Sequence, residues 1–456
     1  MIVKVKPIIL AAGQGTRMHS KLPKVLHPIG GLPMVEHVIR LSLKVGDENP
    51  VVVIGHQGEL VEAALKGKDV ALVYQRQQLG TAHAVKMAWD HIEKDHQVLI
   101  LYGDTPLIEA STLQDFLSQH RSMKRDLSVL TMKVPDPRGY GRILREEGRL
   151  QRIVEEKDAD EVQKQIDEVN SGIYLVRGDY LKEALETIDN NNRQKEYYLT
   201  DLVEIFYRQG YNIDAYCSEH HEEFLGINDR IQLARGEEIL RERINREWMR
   251  RGVTLVDPGN TYIDVDVVIG QDTVIYPGTI LKGSTTIGES CSIGPRAVLE
   301  NSHLSQGVTV KESHVVDSAI DSGSTVGPFA YLRPGSKIGK SVKIGDFVEV
   351  KNSVIRDGAK VSHLTYVGDG DVGENVNLGC GVVFVNYDGE QKHRTVVEAE
   401  AFIGCNTNLI APVTVRKGAY VAAGTTLTKE VPEGALAIGR ERQKNLEGWV
   451  ARRRKK

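Results

Sequence analysis

An aliphatic residue returns at every sixth position through much of the C-terminal half of the chain. Ile263, Ile269, Ile275, Leu281, Ile287, Ile293 and Leu299 keep one unbroken register. Val326, Leu332, Ile338, Ile344 and Val350 form a second run, Val361 and Val367 a third, and Val397, Ile403, Leu409, Val415, Val421 and Leu427 a fourth. A period of six matches neither the 3.6-residue turn of an α-helix nor the two-residue pleat of a strand. It matches a triangular coil in which each side is a short strand and each sixth side chain points into a narrow core. Glycine follows the aliphatic residue at 270, 288, 294, 327, 339, 345, 368 and 404, where small residues let the chain turn a corner. Of the 44 glycines, 26 lie from Gly252 onward. The pattern predicts a parallel β-helix of hexapeptide repeats over 252–456. Breaks in the register near 301–325, 350–361 and 378–396 predict insertions that leave the solenoid as loops, often on its binding face.

Residues 1–228 follow a different rule. Short apolar segments at 7–10, 51–55, 71–75 and 97–102 are bounded by turn or polar residues and separated by helical stretches such as 34–45 and 81–91. This βαβ alternation predicts a mostly parallel sheet with helices on both faces, Rossmann-like in class. Residues 229–251 are dense in Arg and Glu, with Leu240, Ile244 and Trp248 four apart. They read as one long linker helix with a narrow apolar stripe, a solvated arm between domains.

Composition narrows the partners. Charged residues make up 26% and the net charge is −4, which offers no field for nucleic acid or an anionic membrane. The basic tail from Arg452 to Lys456 reads as a solvated terminus. Cys217, Cys291, Cys380 and Cys405 form no Cys-x-x-Cys pair, which argues against structural zinc and a disulfide framework and points to a reducing cytosol. No apolar run approaches the ~18 residues of a membrane span. The apolar start leads into a glycine loop rather than a cleavage site, so it reads as a first strand.

That loop carries Leu10, Ala11, Ala12, Gly13, Gln14, Gly15, Thr16, Arg17 and Met18, with Pro23 and Lys24 close behind. Glycines let backbone N–H groups cradle phosphate oxygens, and Arg17 and Lys24 can neutralise a triphosphate. The string lacks the third glycine of a dinucleotide fingerprint and the Gly-Lys-Ser/Thr of a P-loop. Asp104, in Tyr102-Gly103-Asp104, lies just past a strand's carboxyl end, where open α/β sheets bind ligands. An Asp there is often only a helix N-cap. Gly103 before it and Pro106 after it favour a metal ligand.

The glycine loop resembles the signature of sugar-1-phosphate nucleotidyltransferases. With Gln75, Gly80-Thr81, Gly139 to Arg142, Val154 to Lys157, Asn170-Ser171-Gly172, Glu196 to Asp201 and Gly226-Ile227-Asn228, the chain resembles one family in particular. That family is the bifunctional N-acetylglucosamine-1-phosphate uridyltransferase / glucosamine-1-phosphate N-acetyltransferase. The resemblance runs from Ile8 to about Arg442 and implies a left-handed β-helix, a homotrimer and a cytoplasmic enzyme of UDP-N-acetylglucosamine synthesis for cell-wall precursors.

Carried over by position, the resemblance makes Leu10, Ala11, Ala12 and Gly13 the nucleotide loop, with Lys24 on the UTP phosphates and Gln75, Gly80 and Thr81 near the uracil. Tyr102 and Gly103 complete the nucleotide pocket, Gly141, Glu155 and Asn170 hold N-acetylglucosamine, and Asp104 and Asn228 hold Mg²⁺. Arg17 and Lys24 have electrostatic roles. In the β-helix, Arg333 and Lys351 anchor a sugar phosphate, Tyr366 and Asn377 orient the sugar, and His363 is the general base. Asn386, Tyr387, Cys380, Cys405, Ala423 and Arg440 line the acetyl-CoA path. Many relatives carry Ala and Ser at 380 and 405, so a hydroxyl contact at 405 is lost here. Two alternatives remain open. One is a monofunctional sugar-1-phosphate nucleotidyltransferase with a β-helix used only for assembly, which would not need His363, Asn386-Tyr387 and Arg440. The other is a non-catalytic scaffold, against which Arg17, Lys24, Asp104 and Asn228 argue.

Overall fold

A computed structural model describes residues 4–454, and the chain divides into two compact units, Met1–Leu240 and Arg241–Lys456. In the first, Val5–Ala11 and Val51–Ile54 are buried along their whole length. Strands sandwiched between helical layers read as continuous apolar runs. Val5–Ala11 pairs in parallel with Val51–Ile54 on one side and Gln97–Tyr102 on the other, and Val51–Ile54 pairs in parallel with Ala71–Tyr74. The helix Met34–Val45 buries Met34, Val35, Val38, Ile39 and Leu41, a helical-period face.

The sheet is mixed rather than uniformly parallel. Glu168–Arg177 runs antiparallel to both Gln97–Tyr102 and Leu127–Lys133. The chain reaches this strand through the hairpin Arg142–Glu146 / Arg149–Val154 and not through a helical crossover. Without a crossover the strand has no need to be parallel.

The second unit is a three-sided stack of parallel sheets with 11, 10 and 9 strands. Ile275, Leu281, Ile293, Leu299, Leu332, Ile344 and Val350 are fully buried, as the six-residue period requires. They belong to one core cluster that runs from Val253 to Val431. A second regularity sits at the corners, where buried Ser and Thr hydroxyls donate to nearby carbonyls. Thr279 bonds Tyr276 at 2.7 Å, Thr285 bonds Lys282 at 2.7 Å and Thr407 bonds Gly404 at 2.7 Å.

The three register breaks differ in kind. Through the first, Thr286 pairs with His303 and Leu304 with Ile320, so the coil is shortened and no loop emerges. The second keeps the stack as well, with Lys343 paired to Lys360 and Val354 to Asp371. Only the third is an insertion: Asn377 pairs with Phe402 and Gly370 with Thr395, a coil of 25 residues. The expectation of three loops is therefore corrected to one.

The helix Arg230–Arg250 spans the division between the units. Leu240 packs with Ile227 and Ile239 in the first unit, while Ile244 and Trp248 pack on the β-helix core. Its apolar stripe is therefore covered at both ends, which corrects the solvated-arm reading. Lys455 and Lys456 of the basic tail lie outside the described residues.

His120 is buried beneath the first sheet, its Nδ1 2.8 Å from the Ser128 hydroxyl. Burial, helped by Arg125 and Arg121, pushes its pKa down to about 4. The unfolded chain then takes up a proton near pH 6.5 that the folded chain refuses until about pH 4. Stability from this group is complete above pH 6.5 and is lost as pH falls toward 4. Urea denaturation should show about 2 kcal/mol less stability at pH 5 than at pH 7.5 from this residue. A His120→Gln variant should flatten that difference.

Candidate functional site

A cavity of about 520 Å³ opens at the carboxyl ends of the parallel strands in the first unit. Leu10, Ala11, Ala12, Gly13, Lys24, Gln75, Gly80, Thr81, Tyr102, Asp104 and Asn228 line it, together with Gln14, Gln78 and Glu196. The Lys24 ammonium bridges two oxygens: it donates to Asp104 Oδ2 in a short contact and to Asn228 Oδ1 at 2.9 Å. The Lys24 and Asp104 side chains are each 14% exposed. The Ile227 N–H donates to the Asp104 carbonyl at 2.9 Å, which ties the two acceptor segments together. A cation thus already sits between a carboxylate and an amide oxygen, a hard-oxygen donor set of the kind magnesium takes.

Gln75, Gly80 and Thr81 are locked from behind. Gln75 is buried, and its Nε2 donates to the Gly80 carbonyl at 3.0 Å and meets His83 Nδ1 at 2.9 Å. Gly80 has φ +118, and a Cβ there would fall 2.5 Å from the Tyr197 carbonyl oxygen. The Thr81 hydroxyl accepts the Leu199 N–H at 3.0 Å.

Gly141, Glu155 and Asn170 converge beside this wall. A Cβ on Gly141 would lie 3.6 Å from Asn170 Cβ and 3.7 Å from Glu155 Oε1, and the Asn170 N–H donates to the Gly141 carbonyl at 2.9 Å. Thr200 donates its hydroxyl to Glu155 at 3.2 Å. Burial raises the Glu155 carboxyl above its ordinary pKa. Burial also raises the Tyr102 phenol, with Glu155 and Asp104 adding to it. Gly103 lies under the loop rather than in the lining, its N–H donating to the Leu10 carbonyl at 2.9 Å. Arg17 is not brought into the lining and stays exposed on the turn Thr16–Met18.

In the β-helix, His363 Nδ1 stands 2.5 Å from Asp346 Oδ1, its partner one coil earlier. The His363 hydrogen bond holds the Asp346 carboxyl below its ordinary range. Thr365 donates its hydroxyl to the His363 carbonyl at 2.7 Å, so the corner hydroxyl of the repeat also fixes the backbone of this histidine.

A second cluster forms around Asp369. Its carboxylate accepts from Asn352 Nδ2 at 2.6 Å and Asn386 Nδ2 at 2.5 Å, with Lys351 Nζ at 3.9 Å. Burial raises its pKa, and those amide donors and the Lys351 charge more than offset that. Lys351 in turn lowers the Lys392 ammonium. Arg333 donates to Glu349 at 2.8 Å, and the Tyr366 hydroxyl and Asn386 amide both crowd Gly368. Tyr387 opens the inserted loop, pairing with Lys392.

A third alignment runs along one corner. Gly381 N–H donates to the His363 carbonyl at 3.4 Å, Asn406 to Cys380 at 2.8 Å and Gly424 to Cys405 at 2.8 Å, and Arg440 Nη1 donates to the Ala423 carbonyl at 2.8 Å. His363, Cys380, Cys405, Ala423 and Arg440 therefore share one edge of the prism. Asn377 pairs with Lys360 on the adjoining face.

The sequence profile of the nucleotidyl transferase family matches residues 6–248, and that of the six bacterial transferase hexapeptide repeats matches 266–311. A bifunctional protein GlmU from Clostridioides difficile (strain 630) is 50% identical over 452 residues, covering 99% of this chain and 98% of its own length. Its namesake from Alkaliphilus metalliredigens (strain QYMF) is 51% identical, covering 99% of both chains. That from Geobacillus sp. (strain WCH70) is 52% identical over 453 residues, covering 99% of this chain and 98% of its own. The chain belongs to the bifunctional GlmU family.

Within this GlmU-family chain, Asp346 and Asp369 are the site residues that motif reading missed as actors. Asp346 has a signal: it lies 17 residues before His363, one local coil length. Gln78 has none of that kind and is placed by the fold alone, its Nε2 donating to the Gln75 carbonyl at 3.0 Å.

Gly80→Ala must push the 80–81 turn off Tyr197. Nucleoside triphosphate affinity, read by calorimetric titration, should fall by roughly tenfold or more. Gly67→Ala lies outside the cavity lining and has open space for its Cβ; its φ of +81 should cost stability and leave the affinity of the folded protein unchanged.

Proposed function

We propose that the chain acetylates glucosamine 1-phosphate from acetyl-CoA on its β-helix. Its N-terminal cavity then couples N-acetylglucosamine 1-phosphate to UTP, giving UDP-N-acetylglucosamine and pyrophosphate. The His363–Asp346 pair carries this reading. Assembly alone gives no reason to hold an imidazole against a carboxylate. With Nδ1–H turned to Asp346, Nε2 is left as the proton acceptor. It takes the proton as the free amine attacks the thioester carbonyl, and coenzyme A leaves as its thiol.

Lys351 and Arg333 anchor the sugar phosphate, Tyr366 and Asn377 orient the ring, and Asn386 stands at the amine. Cys380, Tyr387, Cys405, Ala423 and Arg440 follow the coenzyme A chain along the corner. In the N-terminal cavity the sugar-phosphate oxygen attacks the α-phosphorus in line, and no protein nucleophile is needed. Lys24 offsets phosphate charge from within the lining, and Arg17, exposed on the neighbouring turn, would swing in from outside it to do the same. Gly141, Glu155 and Asn170 hold the N-acetylated sugar, and Gln75, Gly80 and Thr81 the uracil. Asp104 and Asn228 would hold Mg²⁺, which would add charge compensation at the phosphates. Their oxygens already accept from the Lys24 ammonium, so the donor set suits a cation.

The assembly is proposed to be a homotrimer. Phe329, Phe347 and Leu364 form an apolar column at the His363 corner, exposed by 53%, 57% and 58%. Bulky residues at positive φ on an open edge fit a surface covered by another copy. A sedimenting monomer with full acetyl transfer would overturn this. Cytoplasmic placement fits the lack, among the described residues, of any helix long and apolar enough to cross a membrane.

Two separate assays test the whole reading. Asp104→Ala should abolish uridylyl transfer and spare acetylation, and His363→Ala should do the reverse. Loss of both activities in either variant refutes independent sites. Asp346→Asn, which removes the partner that fixes the imidazole tautomer, should lower acetyl transfer kcat about 10²-fold with uridylyl transfer unchanged.

A further inference from the structure

Cys380 and Cys405 occupy the same corner on successive coils. The pairing Leu378↔Ile403 carries its offset through the turn, and the Asn406 N–H donates to the Cys380 carbonyl at 2.8 Å. A Cβ added at Gly379 would lie 2.7 Å from the Cys405 nitrogen, so the two turns are in direct contact. Stacked strands lie ~4.8 Å apart. A disulfide spans Cα separations of ~4.4–6.8 Å with Cβ atoms at ~3.8 Å. In-register stacking at that general spacing falls within the disulfide Cα range, and taking Cβ atoms from ~4.8 to ~3.8 Å asks the two side chains to lean together by about 1 Å.

Both thiols are free; Cys405 is exposed and Cys380 partly so. The other two cysteines lack this setting. Cys291 is buried with its Sγ 3.2 Å from the Ser305 carbonyl, and Cys217 sits beside Thr131 in the first unit.

We propose that Cys380 and Cys405 form a peroxide-oxidisable pair that closes to an inter-coil disulfide and shuts acetyl-CoA out of its corner. One thiolate attacks hydrogen peroxide, giving a sulfenic acid and releasing water after protonation. The second thiolate attacks that sulfur, the S–O bond breaks, and the hydroxyl leaves as water. Two thiols and one peroxide become one disulfide and two waters. The block follows from position. The pair lies between the turn of His363 and that of Ala423, whose carbonyl Arg440 holds. This consequence rests on the acetyl-CoA path proposed above, whereas the linkage itself does not.

The test treats full-length enzyme with hydrogen peroxide and maps its peptides without reduction. A Cys380–Cys405 linkage, with the titratable thiols falling from four to two, is the expected result. Acetyl transfer should be lost and return with dithiothreitol, while uridylyl transfer holds throughout. Each of Cys380→Ser and Cys405→Ser should lose the dithiothreitol-reversible component, measured against its own untreated rate. Oxidation that stops at sulfinic acid on Cys405 alone, or a linkage to Cys217 or Cys291, overturns the proposal. A linkage that forms while acetyl transfer is untouched overturns the block. Reduced enzyme that makes no acetylated product refutes the acetyltransferase reading instead, and peptide mapping still decides the disulfide.

Discussion

In-register stacking of one coil on the next governs the C-terminal half. Each outward residue receives a vertical neighbour about one strand spacing away, and that neighbour is chosen by coil length alone. Asp346 meets His363 across a 17-residue coil, and Lys351, paired with Gly368 across the same 17, reaches the carboxylate of the next residue, Asp369. Cys380 lies beneath Cys405 across 25. A slip of one residue would turn the aliphatic side chains outward and part these pairs together. Packing of the narrow core and alignment of the polar edge are thus one constraint.

The N-terminal site is assembled on another plan. There, each strand contributes one loop at its carboxyl end, and the loops meet only because the strands are adjacent in the sheet. Lys24, Asp104 and Asn228 come from three separate segments, yet the ammonium closes them into a compact cluster. An anion arriving at Lys24 competes with Asp104 for the same charge. On the proposed reading, a triphosphate would take up the lysine's charge, and Asp104 and Asn228 would be the residues that hold Mg²⁺. The charge on the cluster is exchanged and never left uncompensated, which matters for groups this little exposed.

Much of this was legible in the sequence, and the reasons for the rest are physical. The β-helix showed because one side chain in six must be aliphatic, whatever the function. The strands of the first unit showed because burial on both faces demands continuous apolar runs. The antiparallel strand Glu168–Arg177 did not show, since direction is decided by how the chain arrives and not by composition. The shortened coils at 301–325 and 350–361 read as insertions because a deletion and an insertion disturb a period alike. Only pairing distinguishes them. Residues with a motif around them, such as Asp104 and His363, could be named in advance. Asp346 has no motif around it; its one signal is its spacing, 17 residues before His363, and that spacing means something only once the local coil length is known.

Asp369 shows how far one buried carboxylate can organise such a stack. It accepts from Asn352 on the coil below and from Asn386 at the mouth of the inserted loop, and Lys351 stands beside it. Buried charge is costly unless hydrogen-bonded and paired, and here both conditions are met by residues of three coils. The two amides are thereby held with fixed orientation: each spends its Nδ2 on the carboxylate, and Asn386 keeps its Oδ1 for another partner. The loop that follows closes on itself, with Asp388 accepting from the Glu390 and Gln391 N–H groups at 2.8 and 2.7 Å. A rigid base and a self-bonded tip let an insertion leave the prism without loosening the coils on either side. The solenoid can therefore carry an inserted loop at 386–394 while the core beneath it, with Phe384 fully buried, stays packed.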